Sequence, residues 1–265
     1  MTPNDIVHVT VAPPAKLEAN LIKQVATIVN KDLYRMRLLL TGRIPRIIAH
    51  YDTLQAAESD AQSLRNLGLV AIVCKDSELR KPPQSFRAKT MKFEERAVLF
   101  WDKDGQARRM ESADAFLIIK GRMQTYSETE VIRTTRKLNL PATLLTGGVP
   151  ILRKVEEIGK DKSVQDEIFL RIYERRSPES GIEVFQYDCN YSFLGPEMTM
   201  SSLANFNNVL AKIRAVFAQA MLDDSLMKLA QVNVPTSTPR ETIDINCRLI
   251  YLYHQAMSIR DRQHS

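Results

Sequence analysis

The side chains best suited to nucleophilic or metal chemistry here are His8, His50, His254 and His264 and the thiols of Cys74, Cys189 and Cys247, and their spacing serves neither chemistry. A protein zinc site draws its ligands from closely spaced Cys or His pairs. His8, His50 and His254 lie far apart, none has a ligand four residues on, and His264 falls in the tail. Cys74 closes an apolar run, whereas a catalytic thiolate wants a polar, electropositive setting and a positioned imidazole. His50 lies on a neighbouring predicted strand and could approach that thiol, but an inert core cysteine is the simpler reading. Asp102 and Asp104 stand beside Gly105, where a calcium loop would need further acidic positions and a plain turn would not. Thr146-Gly147-Gly148 runs into Val149-Pro150 rather than into the lysine and helix of a phosphate-binding loop. Ser192 and Ser201 have no nucleophile-elbow context, and Asp223-Asp224 reads as the cap of a helical turn. The expectation is no catalytic residue, no metal site and no cofactor. An active site dispersed along the chain would leave no such signature, so an enzyme stands as a third reading.

Charge is the stronger signal. Residues 1–92 hold 14 Lys and Arg against 8 Asp and Glu, while residues 93–265 hold 23 of each, so the net charge of +6 belongs to the N-terminal third. Arg35, Arg37, Arg43 and Arg46 fall within twelve residues of one another, and Arg80, Lys81, Arg87, Lys89 and Lys92 follow. Such a patch raises the local concentration of anionic partners. These four arginines are the candidate binding residues, set against the alternative of a solvated face with no partner. A nucleic-acid footprint is denser and interleaves aromatics for stacking; only Tyr34 and Phe86 are near.

The elements that must carry these groups are read from periodicity. Ile6, Val7, Val9 and Val11 form a strand ended by Pro13-Pro14, and Leu17, Leu21, Val25 and Ile28 recur at helical spacing. Asn30 or Asp32 caps a short second helix burying Leu33, Met36 and Leu40. Gly42 stands where a left-handed cap is expected, residues 47–51 are a strand, and Asp52-Thr53 caps a third helix with Leu54, Ala57, Ala61 and Leu64 inward. Gly68 ends it before a buried strand at 69–74.

This β-α-α-β-α-β order resembles the C-terminal domain of the bacterial ribosomal stalk protein and, equally, the small adaptor of the Clp protease. The likest stretch is Ala57-x-x-x-Ala61-x-x-Leu64-x-x-x-Gly68 followed by a strand. The resemblance implies a shared fold over residues 5–76. The stalk's glycine-rich, lysine-bearing turn is replaced here by Val29-Asn30-Lys31-Asp32, and the adaptor's acidic patch by Ala12-Pro13-Pro14, so no binding residue is carried over.

Beyond it, residues 77–85, with Pro82-Pro83 and three charges, read as a linker between a basic domain at 1–76 and a second domain at 86–265. The second domain is predicted as antiparallel hairpins over 86–190 and helices over 200–258. Residues 86–93 form one strand, 97–101 and 107–110 a hairpin about Asp102-Lys103-Asp104-Gly105, and 116–119 a fourth strand. Ser127 with Glu130 signals a helix to Lys137, residues 144–151 a strand and turn, and 168–173 with 182–187 another hairpin. Ser201 or Ser202 caps a helix whose apolar face continues through Leu222, Leu226 and Leu229, and residues 241–257 form the last. The fold class is α+β. At 44% hydrophobic the chain can build real cores. No apolar run reaches membrane-span length, residues 1–5 carry no signal-like pattern, and three scattered cysteines suit a reducing cytoplasm. The expected function is an intracellular binding or adaptor protein with a protein partner; the alternative is an RNA- or ribosome-associated protein using the basic domain.

Overall fold

A computed structural model describes residues 5–138, 152–175, 177–227 and 239–263. Strand β1 (Val7–Val11), helices α1 (Ala19–Ile28) and α2 (Leu33–Leu40), β2 (Arg46–Tyr51), α3 (Leu54–Asn66) and β3 (Ala71–Lys75) follow in the expected order. The three strands make an antiparallel sheet ordered β2-β1-β3. Val7, Val9 and Val11 alternate onto one face, where they meet Val25, Met36, Leu40, Ala57, Ala61 and Leu64 of the helices. Caps fix the helix starts: the Asp32 carboxylate accepts from the Arg35 N–H at 2.8 Å and the Thr53 hydroxyl from the Ala56 N–H at 3.3 Å. At the end of α3, Gly68 adopts φ 84° and the N–H groups of Gly68 and Leu69 return to the carbonyls of Arg65 and Leu64. A side chain there would be strained, which is why glycine closes this helix.

The sheet's other face is covered as well. Val9 pairs with Ala49 and Thr10 with Ile47, so Ile48 is an extra residue bulged out of β2. Ile47 thereby joins Cys74 in a second apolar cluster with Leu79 of α4 (Asp76–Arg80) and with Ile245, Leu249 and Leu252 of a long helix near the C-terminus (Pro239–Gln263). Residues 77–85, expected as linker throughout, thus open with helical turns. Leu79, the one apolar residue of that stretch before Pro82-Pro83, is buried and anchors α4 against the core.

The remaining strands are β4 (Phe86–Ala88), β5 (Thr90–Phe93), β6 (Ala97–Trp101), β7 (Ala107–Glu111), β8 (Ala115–Leu138), β9 (Leu152–Glu174), β10 (Ser177–Phe185) and β11 (Met221–Leu226). Between β10 and β11 come a 3-10 helix (Tyr191–Glu197) and helix α5 (Ser202–Val216); the helix over Pro239–Gln263 is α6. The class is α+β, as expected. Three details differ. The single strand foreseen at 86–93 breaks at Lys89, whose N–H bonds the Trp101 carbonyl and whose carbonyl accepts from the Asn190 N–H, so β4 and β5 enter different sheets. Residues 127–137 are strand, not helix: they continue β8, and a capping-box pattern has no force where the chain is already paired in a sheet. Leu222 and Leu226 lie in strand β11, not in a helix, because the chain doubles back after Phe217 to pair with β8.

Residues 107–111 and 97–101 pair as the expected hairpin, with the Asp102 carboxylate accepting from the Asp104 and Gln106 N–H groups at 2.9 Å each. The larger sheet runs β11-β8-β9-β10-β4. It is mixed rather than purely antiparallel, since β4 lies parallel to β10 and β11 parallel to β8. Phe206, Val209, Ile213 and Phe217, in and just after α5, bind the two sheets into one core with Phe100, Met110, Leu170, Ile182 and Val184. Residues 144–151, expected as strand and turn, lie outside the described residues.

Two compact units divide the chain: residues 1–123 with 167–265, and residues 124–166. The first contains every core described above, and the expected boundary at 77–85 lies within it. The second is built from the end of β8 and the beginning of β9, which are hydrogen-bonded neighbours.

Candidate functional site

Helix α2 carries an exposed surface that is both apolar and basic. It turns Met36 and Leu40 into the core and leaves Leu33, Tyr34 and Leu38 outside, 50%, 75% and 58% exposed. Leu33, expected inside, sits on the first turn just after the Asp32 cap and stays half exposed while Met36 and Leu40 of the same stripe are buried. At 100° per residue the sequence Leu33, Arg37, Tyr34, Leu38, Arg35 sweeps the outer face in order. The surface therefore interleaves two leucines and a tyrosine with two guanidinium groups. Arg43 is exposed on the loop that follows and Arg46 is half-buried at the start of β2; burial lowers the Arg46 pKa from its ordinary value.

These four arginines differ from seven guanidinium groups that a carboxylate neutralises, and share the lack of an ion pair among the described residues with Arg96, Arg175, Arg214, Arg248 and Arg260. Arg65, Arg80, Arg87, Arg108, Arg109, Arg171 and Arg240 each pair with a carboxylate. Arg35, Arg37, Arg43 and Arg46 make no side-chain ion pair among the described residues. Their charge is therefore presented rather than neutralised.

Beside them lies a chain of imidazoles that sequence spacing did not reveal. His8 of β1 is buried, with its Nε2 2.9 Å from Asp76 Oδ1 and its Nδ1 2.8 Å from Nδ1 of exposed His50 on β2. The rings meet edge to face, centroids 4.8 Å apart. Asp76 also accepts from Arg80 Nε at 2.9 Å, and Arg80 Nη1 donates to Glu241 of α6 at 3.0 Å. Burial opposes ionisation of Asp76, but the bonds from His8 and Arg80 outweigh it and hold the carboxyl below its usual range. Burial, then the nearby charges of His8, Lys31 and Arg35, lower the pKa of His50, against a smaller opposing pull from Asp76. The signal that would have exposed this pair was register: antiparallel pairing places His8 opposite His50 and opposite Cys74.

The other constellations are structural. Burial pushes the thiols of Cys74 and Cys189 up to about 12 and that of Cys247 to about 11, far from a reactive thiolate. Asp223, expected as a helix cap, lies in β11 between His254 (2.7 Å) and the Ser225 hydroxyl. A nucleophilic triad needs the imidazole against the hydroxyl, and here the carboxylate separates them. Arg171, fully buried, pairs with Glu183 Oε1 at 2.8 Å and with Asp244, and Arg240 closes the group on Glu183 at 2.6 Å. A cleft of about 250 Å³ lined by Arg80, Lys81, Pro82, Pro83, Arg240 and Asp244 opens nearby, but each of its cations is already engaged by an acid. Among the described residues no group of three His, Cys, Asp or Glu is placed to hold a metal ion. No described helix is long and apolar enough to cross a membrane. Comparison with known proteins returned no matching family model, no matching curated protein and no matching solved structure.

Proposed function

We propose that this chain is an intracellular binding or adaptor protein whose α2 face docks an acidic segment of a protein partner. The observation that carries the reading is the coincidence, on one short helix and its following loop, of exposed Leu33, Tyr34 and Leu38 with unpaired Arg35, Arg37 and Arg43. Tyrosine and arginine are the residues that most often dominate binding energy. The two leucines favour a protein partner over nucleic acid, which offers phosphates and stackable bases but little for an aliphatic side chain.

The test is capture from native extract by the tagged full chain, with and without nuclease, followed by crosslinking. Support requires a nuclease-resistant partner whose acidic segment crosslinks to α2, and loss of capture with Leu38→Asp and with Arg37→Glu/Arg43→Glu. Capture abolished by nuclease, with a steep loss between low and moderate salt, assigns the face to RNA instead. Capture unchanged by both variants removes α2 from the function.

A further inference from the structure

The hydrogen bonds around His8 determine where a proton can enter. Asp76, held ionised, only accepts, so His8 Nε2 must carry the hydrogen of that 2.9 Å bond. Neutral His8 then offers a lone pair at Nδ1, and the 2.8 Å contact requires the hydrogen to sit on His50 Nδ1. His50 is therefore left with a bare lone pair at Nε2 on an exposed residue of β2. The charged groups acting on it are Lys31 from the α1–α2 turn, Arg35 from α2, His8 from β1 and Asp76 from α4. Neither Lys31 nor Arg35 makes a side-chain ion pair among the described residues. A basic nitrogen among free cations repels a metal ion and suits an anion, which would restore the proton that those cations discourage.

We propose that His50, Lys31 and Arg35 form a carboxylate-binding site in which docking of an acidic peptide is coupled to uptake of one proton. The proton comes from water and adds at His50 Nε2, from which it donates to the bound carboxylate. The hydrogen already between the two Nδ1 atoms stays shared, so the new positive charge spreads over His50 and His8, with Asp76 facing it from the far end. No bond other than N–H forms. This deepens the proposed docking function and rests on it. Because the bound state holds one more proton than the free protein, affinity rises as pH falls, by at most about tenfold per pH unit. Glutamate side chains, with a pKa near 4.3, stay ionised between pH 8 and 6, so the response reports on the protein.

The experiment is binding of a fluorescent hexaglutamate peptide to the full chain at pH 8 and pH 6, at fixed low salt. The wild type is expected to bind several-fold more tightly at pH 6, at most about a hundredfold for one proton. His50→Gln, which keeps a polar side chain, is expected to bind at both pH values as the wild type does at pH 8. Lys31→Gln/Arg35→Gln weakens binding at both. An identical pH response in His50→Gln, or none in the wild type, overturns the proton coupling while leaving the docking function standing. No hexaglutamate binding at either pH, together with unchanged partner capture by Arg37→Glu/Arg43→Glu, overturns both.

Discussion

Arg43 stands exposed on the loop between α2 and β2 with no ion pair among the described residues, so its charge contributes little to folding. Arg43→Glu should change stability by less than about 0.5 kcal/mol, as surface substitutions do, and a melting curve superimposable on wild type is the expected result. Arg46 differs: it is half-buried, and a carboxylate in its place would be desolvated without a partner, so Arg46→Glu should lower the melting temperature where Arg43→Glu does not. Asp76 carries the opposite prediction. Its folded pKa is depressed by His8 and Arg80, so its stabilisation is fully present above the ordinary carboxylate value of about 3.9 and is lost as pH falls through the lower folded value. Asp76→Asn should be less stable than wild type at pH 7, and the gap should narrow in acid. An acid-unfolding curve with the same gap at all pH values would show that Asp76 acts through packing alone. His50 adds a second, milder slope of the same sign, present above about pH 6.5 and lost below it, since its folded pKa is also depressed.

At the level of elements, β8 passes close against Phe169 and Leu226 at Gly121. A β-carbon built there would lie 2.4 Å from the Phe169 ring and 3.0 Å from Leu226. Phe169 is buried against Phe185, its ring centroid 6.0 Å away, so it has little room to yield. Gly121→Ala should therefore destabilise the fold by about 1–3 kcal/mol through overpacking, read as a lower denaturant midpoint. A neutral result would mean that Phe169 can rotate. Nothing in the sequence distinguished this glycine from one in a turn. Where local rules sufficed, the elements were legible: the caps at Asp32 and Thr53, the glycine that closes α3, the Asp102–Gly105 turn and the alternation of β1 all followed from side chains within a few residues. The failures share one cause. Ser127–Lys137 has a respectable helix start but is drawn into β8 by pairing with distant residues. Leu33 falls in the apolar stripe of α2, but at the helix's first turn the rest of the fold does not reach far enough to cover it. The four arginines in and after α2 were visible as a cluster, whereas the His8–His50–Asp76 chain was not, because residues 42 and 68 positions apart meet only through the fold.

For the molecule as a whole, the decisive feature is that the N-terminal sheet is covered on both faces. Its second face rests on α4 and α6 through Cys74, Ile47, Leu79, Ile245 and Leu249, and the Asp76–Arg80–Glu241 bonds tie the same seam. Leu249, nearly fully buried, sits in its middle. Removing its side chain, as Leu249→Ala, should cost about 2–5 kcal/mol. The segment after α4 is a different matter: Lys81, Pro82 and Gln84 are exposed, and a protease should find its first cut between residues 81 and 85 while 5–76 stays protected. If the seam holds as the packing demands, that nick will not separate the pieces. The two fragments should elute together in gel filtration under native conditions and part only in denaturant, and Leu249→Ala should let them part more readily. Fragments of the wild type that separate spontaneously after the nick would show that the seam is too weak to hold the sheet. The basic unit would then be free to move on its own, and the hydrogen-bonded chain from His50 through His8, Asp76 and Arg80 would have no permanent partner in Glu241 at its far end.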